Sequence, residues 1–135
     1  MAFLKDKITE YSGSPYVGHI PGEIKAMGEL NGTDGKRLLT IAFTTRRDLV
    51  SDIGVTAEAA CSEELKAAAA AGCALAKGKA IMAVDLLTPE DILKPLSDET
   101  EPADSEYFVA LMALMAIKNA LASYAAYRSA ENGKG

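Results

Sequence analysis

The chain has 135 residues, a net charge of −5 and 49% hydrophobic residues, which fits one domain over residues 1–135 with a core large enough to need no disulfides. The acidic balance argues against a general nucleic-acid binder, because phosphate neutralisation needs a basic surface. No apolar run approaches the roughly 20 residues that span a bilayer, and the charged opening residues form no secretory h-region, so a cytoplasmic location is expected.

Leu4, Ile8 and Tyr11 fall at helical spacing, so a short amphipathic helix is expected to end near Ser12-Gly13. Ser14-Pro15-Tyr16-Val17-Gly18 reads as an extended loop. The pattern then turns to period two: a strand over 27–30, turn dipeptides Asn31-Gly32 and Asp34-Gly35, and a second strand in which Leu39, Ile41 and Phe43 alternate with Leu38, Thr40 and Ala42. Thr45-Arg46-Arg47-Asp48 reads as a second polar turn. A third strand over 50–57 places Ile53, Val55 and Ala57 on one face, completing an antiparallel meander.

Helices follow. Ser62-Glu63-Glu64 offers a capping residue and first-turn acids, and the alanine-rich helix is expected to reach about Ala76 and stop at Lys77-Gly78-Lys79. Thr88-Pro89-Glu90-Asp91 is a helix start with proline at the first position. Residues 97–104 are acidic, contain Pro102 and read as a loop. The last helix is expected from Asp104 or Ser105 to about Arg128, with 131–135 frayed. It carries one apolar stripe through Phe108, Leu111, Met112 and Met115 and another through Leu114, Ile117, Leu121 and Tyr124, both expected in the core. The whole is an α+β domain: a three-stranded antiparallel sheet with helices packed mainly on one face.

Few residues carry chemistry. Cys61 and Cys73 form no C-x-x-C pair, and the one histidine, His19, is distant in sequence, so a finger-type zinc site is excluded by ligand count. Both thiols are expected to be reduced in a cytoplasmic protein. His19 reads as a surface residue and Cys73 as core. Gly32-Thr33-Asp34-Gly35-Lys36-Arg37 fails the phosphate-loop pattern at both ends. Cys61, at a helix start, is either a reactive thiol favoured by the helix dipole or a small apolar residue, with Glu63 and Glu64 opposing ionisation. No Ser/His/Asp or Cys/His arrangement stands out, and an enzyme is not expected.

In order and spacing the chain resembles the NifU/IscU-type iron–sulfur cluster scaffolds. Tyr11 with Ser14-Pro15-Tyr16-Val17-Gly18 is similar to their opening segment. Gly32-Thr33-Asp34 falls at the Cys-Gly-Asp turn, Ser51-Asp52 at a Thr-Asp pair, and Cys61 at the start of the helix that ends in Lys-Gly-Lys. Ala116-Ile117-Lys118-Asn119-Ala120-Leu121-Ala122-Ser123-Tyr124 matches the final-helix pattern. The resemblance covers nearly the whole chain and implies a divergent scaffold-like protein of iron–sulfur assembly. Cys61 and Asp34 are the residues carried over toward iron or a [2Fe–2S] cluster, with cysteine desulfurase or another assembly protein as partner.

The departures concern function. The family's first cysteine falls near Gly32 and its His-Cys pair on Phe108-Val109. Its chaperone-read Leu-Pro-Pro-Val-Lys tract falls within 101–106, where the charge is reversed. A [2Fe–2S] cluster takes about four ligands, so one chain falls short; a homodimer could pool two Cys61 and two Asp34. The alternative is a non-catalytic interaction or regulatory domain that kept the scaffold fold and lost metal binding.

Overall fold

The computed structural model describes residues 3–97 and 103–133. Among these, three strands, β1 (Ala26–Asn31), β2 (Arg37–Arg46) and β3 (Leu49–Ala57), form one antiparallel sheet in the order β1-β2-β3. Five helices accompany it: α1 (Lys5–Ser12), α2 (Glu63–Ala76), α3 (Ile81–Asp85), α4 (Pro89–Leu93) and α5 (Asp104–Gly133). The meander is as expected; β2, however, continues through Thr45 and Arg46. The tight turn is Arg47-Asp48 alone, and the register shifts between Thr44 and Thr45, which pair with Asp52 and Val50.

The period-two pattern sets the two faces. Leu30, Leu39, Ile41, Phe43, Ile53 and Val55 lie on the inner face and are all buried. α2 and α5 cover that face, α2 toward β3 and α5 toward β1. Ala67, Ala68, Ala69 and Ala70 of α2 are fully buried; side chains this small let the helix lie close to the sheet and to α5 together. Ser62 caps α2 by accepting from the Leu65 amide at 3.1 Å. Thr88 and Asp91 form a reciprocal capping box at α4, as Thr88-Pro89 suggested. The turn Lys77-Gly78-Lys79 docks on β3, with Gly78 N–H donating to the Val50 carbonyl at 2.8 Å. α3 has no capping side chain and no sequence signal anticipated it.

α5 settles which of its two stripes is core. Ala110, Ala113, Ala116, Ile117, Ala120, Leu121 and Tyr124 are buried, whereas Phe108 is 58% and Met115 48% exposed. The expectation that the Phe108–Met115 stripe packs inside is therefore corrected at Phe108 and Met115, while Leu111 and Met112 between them are half-buried, Met112 against the core. The alanine-rich side is the one narrow enough to approach the sheet, and a helix apolar all round leaves its bulkier side facing out. Asn119 donates to the Glu29 carbonyl at 2.9 Å, and Ser123 accepts from the Met27 amide at 3.3 Å. These bonds satisfy the outward groups of edge strand β1. Asp104–Ala130 is long and apolar enough to cross a membrane by length and composition, but its buried side is occupied by the sheet. The helix also runs through Gly133, past the expected fraying point. Most of the expected 97–104 loop lies outside the described residues.

On the outer face a strap crosses the sheet. Gly18 N–H donates to the Val55 carbonyl at 2.7 Å and Val55 N–H to the Tyr16 carbonyl at 2.9 Å, pairing this segment with the β3 edge. The chain then crosses over Gly54, where a Cβ would lie 1.9 Å from the His19 carbonyl oxygen, and joins β1 through Lys25 N–H to the Phe43 carbonyl.

At the far end of β2, the turn residues Arg47 (φ 56°) and Asp48 (φ 61°) occupy the left-handed region. Holding a non-glycine residue there costs on the order of 1 kcal/mol. α5 supplies the restraint: Tyr124 O–H donates to Asp48 at 2.6 Å, Thr45 O–H donates to the Tyr124 oxygen at 3.0 Å, and Arg128 pairs with Asp48.

Candidate functional site

The β1–β2 turn and the segment entering α2 lie at the same end of the sheet, because Leu39 pairs with Ala57 and Glu58 N–H donates to the Leu38 carbonyl. Arg37 ties the two together, donating to Glu58 through Nε at 3.2 Å and Nη2 at 3.0 Å. Asp34 sits in the turn and Cys61 three residues past Glu58.

Cys61 is 7% exposed. Ser62, one residue on, takes the helix cap, so the thiol lies just outside the helix rather than over its free amides. Its Sγ donates weakly to the Ser62 carbonyl at 3.6 Å. Burial pushes the Cys61 thiol above its ordinary pKa, against the pull of Lys66 and with a small push from Glu63. This is the environment of an unactivated thiol. Native Cys61 should alkylate with iodoacetamide at neutral pH at least about tenfold more slowly than the unfolded chain, as read by mass spectrometry; equal rates would contradict this. Cys73 is fully buried in α2, and burial raises its pKa strongly, in keeping with the core role expected for it.

Asp34 is exposed, and its Oδ1 accepts from the Lys36 amide at 3.0 Å, a turn-stabilising bond. No hydrogen bond between Asp34 and Cys61 is found among the described residues. Nor does any group of three or more His, Cys, Asp or Glu side chains there lie close enough to hold a metal ion. Gly32 packs beside Leu38, 3.6 Å from where its Cβ would be. Phe108 projects from α5 and Val109 is half-buried. Within 101–106, residues 101 and 102 lie outside the described set; Glu106 is buried and caps the start of α5 by accepting from the Ala103 amide at 2.8 Å. The donor set does not fit a cluster on one chain: one protonated thiol and one turn-bound carboxylate, where about four ligands are needed.

Two constellations escaped the sequence reading. His19 Nε2 lies 2.7 Å from Asp52 Oδ2 on the outer face, brought there by the strap over Gly54. The Thr45–Tyr124–Asp48–Arg128 chain joins residues about eighty positions apart. Neither has a spacing that a single sequence could disclose.

Neither a protein-family model nor a curated protein sequence matches the chain. Solved structures do. The N-terminal domain of a nitrogen-fixing NifU-like protein from Brucella abortus is similar with a TM-score of 0.61 and 17% identity, over 89% of this chain and 92% of that one. A candidate iron–sulfur cluster assembly scaffold protein for the SUF system from Fervidobacterium islandicum is similar with a TM-score of 0.63 and 14% identity, over 87% of this chain and 96% of that one. The chain thus has the NifU/IscU-type fold that its sequence resembles, and at these identities the likeness is one of fold.

Proposed function

We propose that this protein is a non-catalytic, scaffold-derived binding protein of iron–sulfur cluster assembly that does not assemble a stable cluster of its own. The observation that carries the reading is the donor count at the scaffold end of the fold. Cys61 and Asp34 are the residues proposed for contact with iron. Gly32 and Phe108-Val109 stand where the resemblance puts the other ligands, and none of these side chains coordinates metal. The exposed Phe108 and Met115 supply apolar surface of the kind protein contacts bury. In this reading the partner is a cysteine desulfurase or another assembly protein.

Anaerobic reconstitution with iron and sulfide, comparing wild type with Cys61→Ser by visible absorption and iron content, tests it. Neither protein should develop a stable chromophore, and the wild type should retain more iron than Cys61→Ser. A chromophore present in the wild type and lost in Cys61→Ser would overturn the proposal and assign a cluster to thiolates pooled between two chains.

A further inference from the structure

The end of the sheet away from Cys61 carries a cleft in two compartments. One, about 340 Å³, is polar and lined by Lys25, Thr45, Arg47, Tyr127 and Arg128. The other, about 430 Å³, is apolar and lined by Ala80, Ile81, Met82, Leu121 and Ala125. Asp48, Tyr124 and Arg128 belong to both, so the compartments lie on either side of one shared wall. Each has the size of a small-molecule subsite.

The charge of the polar compartment runs against that of the chain. Three cations, Lys25, Arg47 and Arg128, face one carboxylate, Asp48, in a protein of net charge −5. Asp48 is already engaged by Tyr124 and Arg128. Lys25 spends one donor on the Thr45 carbonyl at 3.0 Å and keeps two. Arg47 makes no hydrogen bond or ion pair with any described residue, although the turn holds it in a left-handed conformation. A strained, exposed arginine fixed beside two other cations by a buried tyrosine is the kind of outlier from which a binding role is inferred. The apolar compartment leaves Met82 81% exposed, a cost in water that an apolar ligand would remove.

We infer that this cleft binds a small, soluble amphiphilic anion, a phosphate or carboxylate head on an apolar body. Lys25, Arg47 and Arg128 hold the head, and Ile81, Met82 and Leu121 receive the body. A concave, two-compartment site suits a molecule entering from solution; a lipid surface would need the cations on a protruding rim.

Titration of the full chain with octyl phosphate, followed by amide NMR shifts, tests the assignment against inorganic phosphate and against vesicles containing phosphatidic acid. Octyl phosphate should give saturable shifts at residues 47, 48, 81, 82 and 125 and bind at least about tenfold more tightly than inorganic phosphate. Rising salt should weaken it. Arg47→Gly removes the charge without endangering the fold, since glycine is at ease at positive φ, and should weaken binding by about fivefold or more while raising the denaturation midpoint. Met82→Ser should weaken octyl phosphate but leave inorganic phosphate unchanged. Absent or non-saturable shifts, equal affinity for both phosphates, undiminished binding in Arg47→Gly, or binding to vesicles alone would each overturn it.

Discussion

Gly28→Ala is expected to lose about 3 kcal/mol or more of folding stability, a large effect for one methyl group. Gly28 faces inward from β1 beneath α5. A Cβ there would lie 2.2 Å from the Ala120 nitrogen, 2.5 Å from the Ala116 oxygen and 2.8 Å from the Asn119 carbonyl carbon. All three are backbone atoms of a helix, so no rotamer change relieves the contact. α5 must move away from β1, and with it go the Asn119 and Ser123 bonds that close the sheet edge. Urea denaturation measures the loss, and hydrogen exchange at Met27 should quicken along with it. A loss below about 1 kcal/mol would mean that α5 rides further from β1 than described.

The same glycine shows how much of the fold could be read beforehand. Strands β1 to β3 announced themselves by period two and by the turn dipeptides, and α2 and α4 by Ser62 and Thr88. Those signals are local, and local chemistry is what a sequence displays. The stripe of α5 through Leu114, Ile117, Leu121 and Tyr124 is buried as expected, but the Phe108–Met115 stripe was expected inside as well because the hydropathy of the helix is high all round. The deciding quantity was side-chain size: alanines at 110, 113, 116 and 120 on the helix meet a glycine on the strand. That pairing was present in the sequence, but weighing hydrophobicity rather than volume hid it.

For the candidate site the balance differs. The resemblance placed Cys61 and the turn holding Asp34 at one end of the sheet, and the strand register puts both there. Whether Cys61 was an activated thiol could not be decided from its position at a helix start. It turned on one residue: Ser62 takes the cap, and the thiol falls outside the helix into an apolar setting. His19–Asp52 and the Tyr124 chain were illegible for another reason. Each depends on segments crossing the sheet or returning to it late in the chain, and no spacing rule links residues 33 or 76 positions apart.

Tyr124 should prove the most sensitive side chain in the second half of the chain. It is 5% exposed, and its ring lies 5.7 Å from that of Phe43 and 6.2 Å from that of Tyr127. Tyr124→Ala removes this packing and leaves the buried Thr45 hydroxyl without its partner, an expected loss of about 4 kcal/mol. Tyr124→Phe keeps the ring and isolates the hydroxyl, at about 1–2 kcal/mol. The phenylalanine variant also carries a pH signature. The Tyr124 hydrogen bond is the foremost reason the Asp48 carboxyl is held below the usual carboxylate range, with Arg128 adding to it against some desolvation. A depressed folded-state pKa gives stability that is present above the unfolded value of about 3.9 and lost as pH falls through the folded one. Tyr124→Phe brings the two values closer, so the stability gap between wild type and variant should be widest near neutrality and shrink below about pH 4. Urea midpoints measured across that range decide the matter. A gap independent of pH would confine the role of Tyr124 to packing and leave the strained Arg47-Asp48 turn to be held by Arg128 alone.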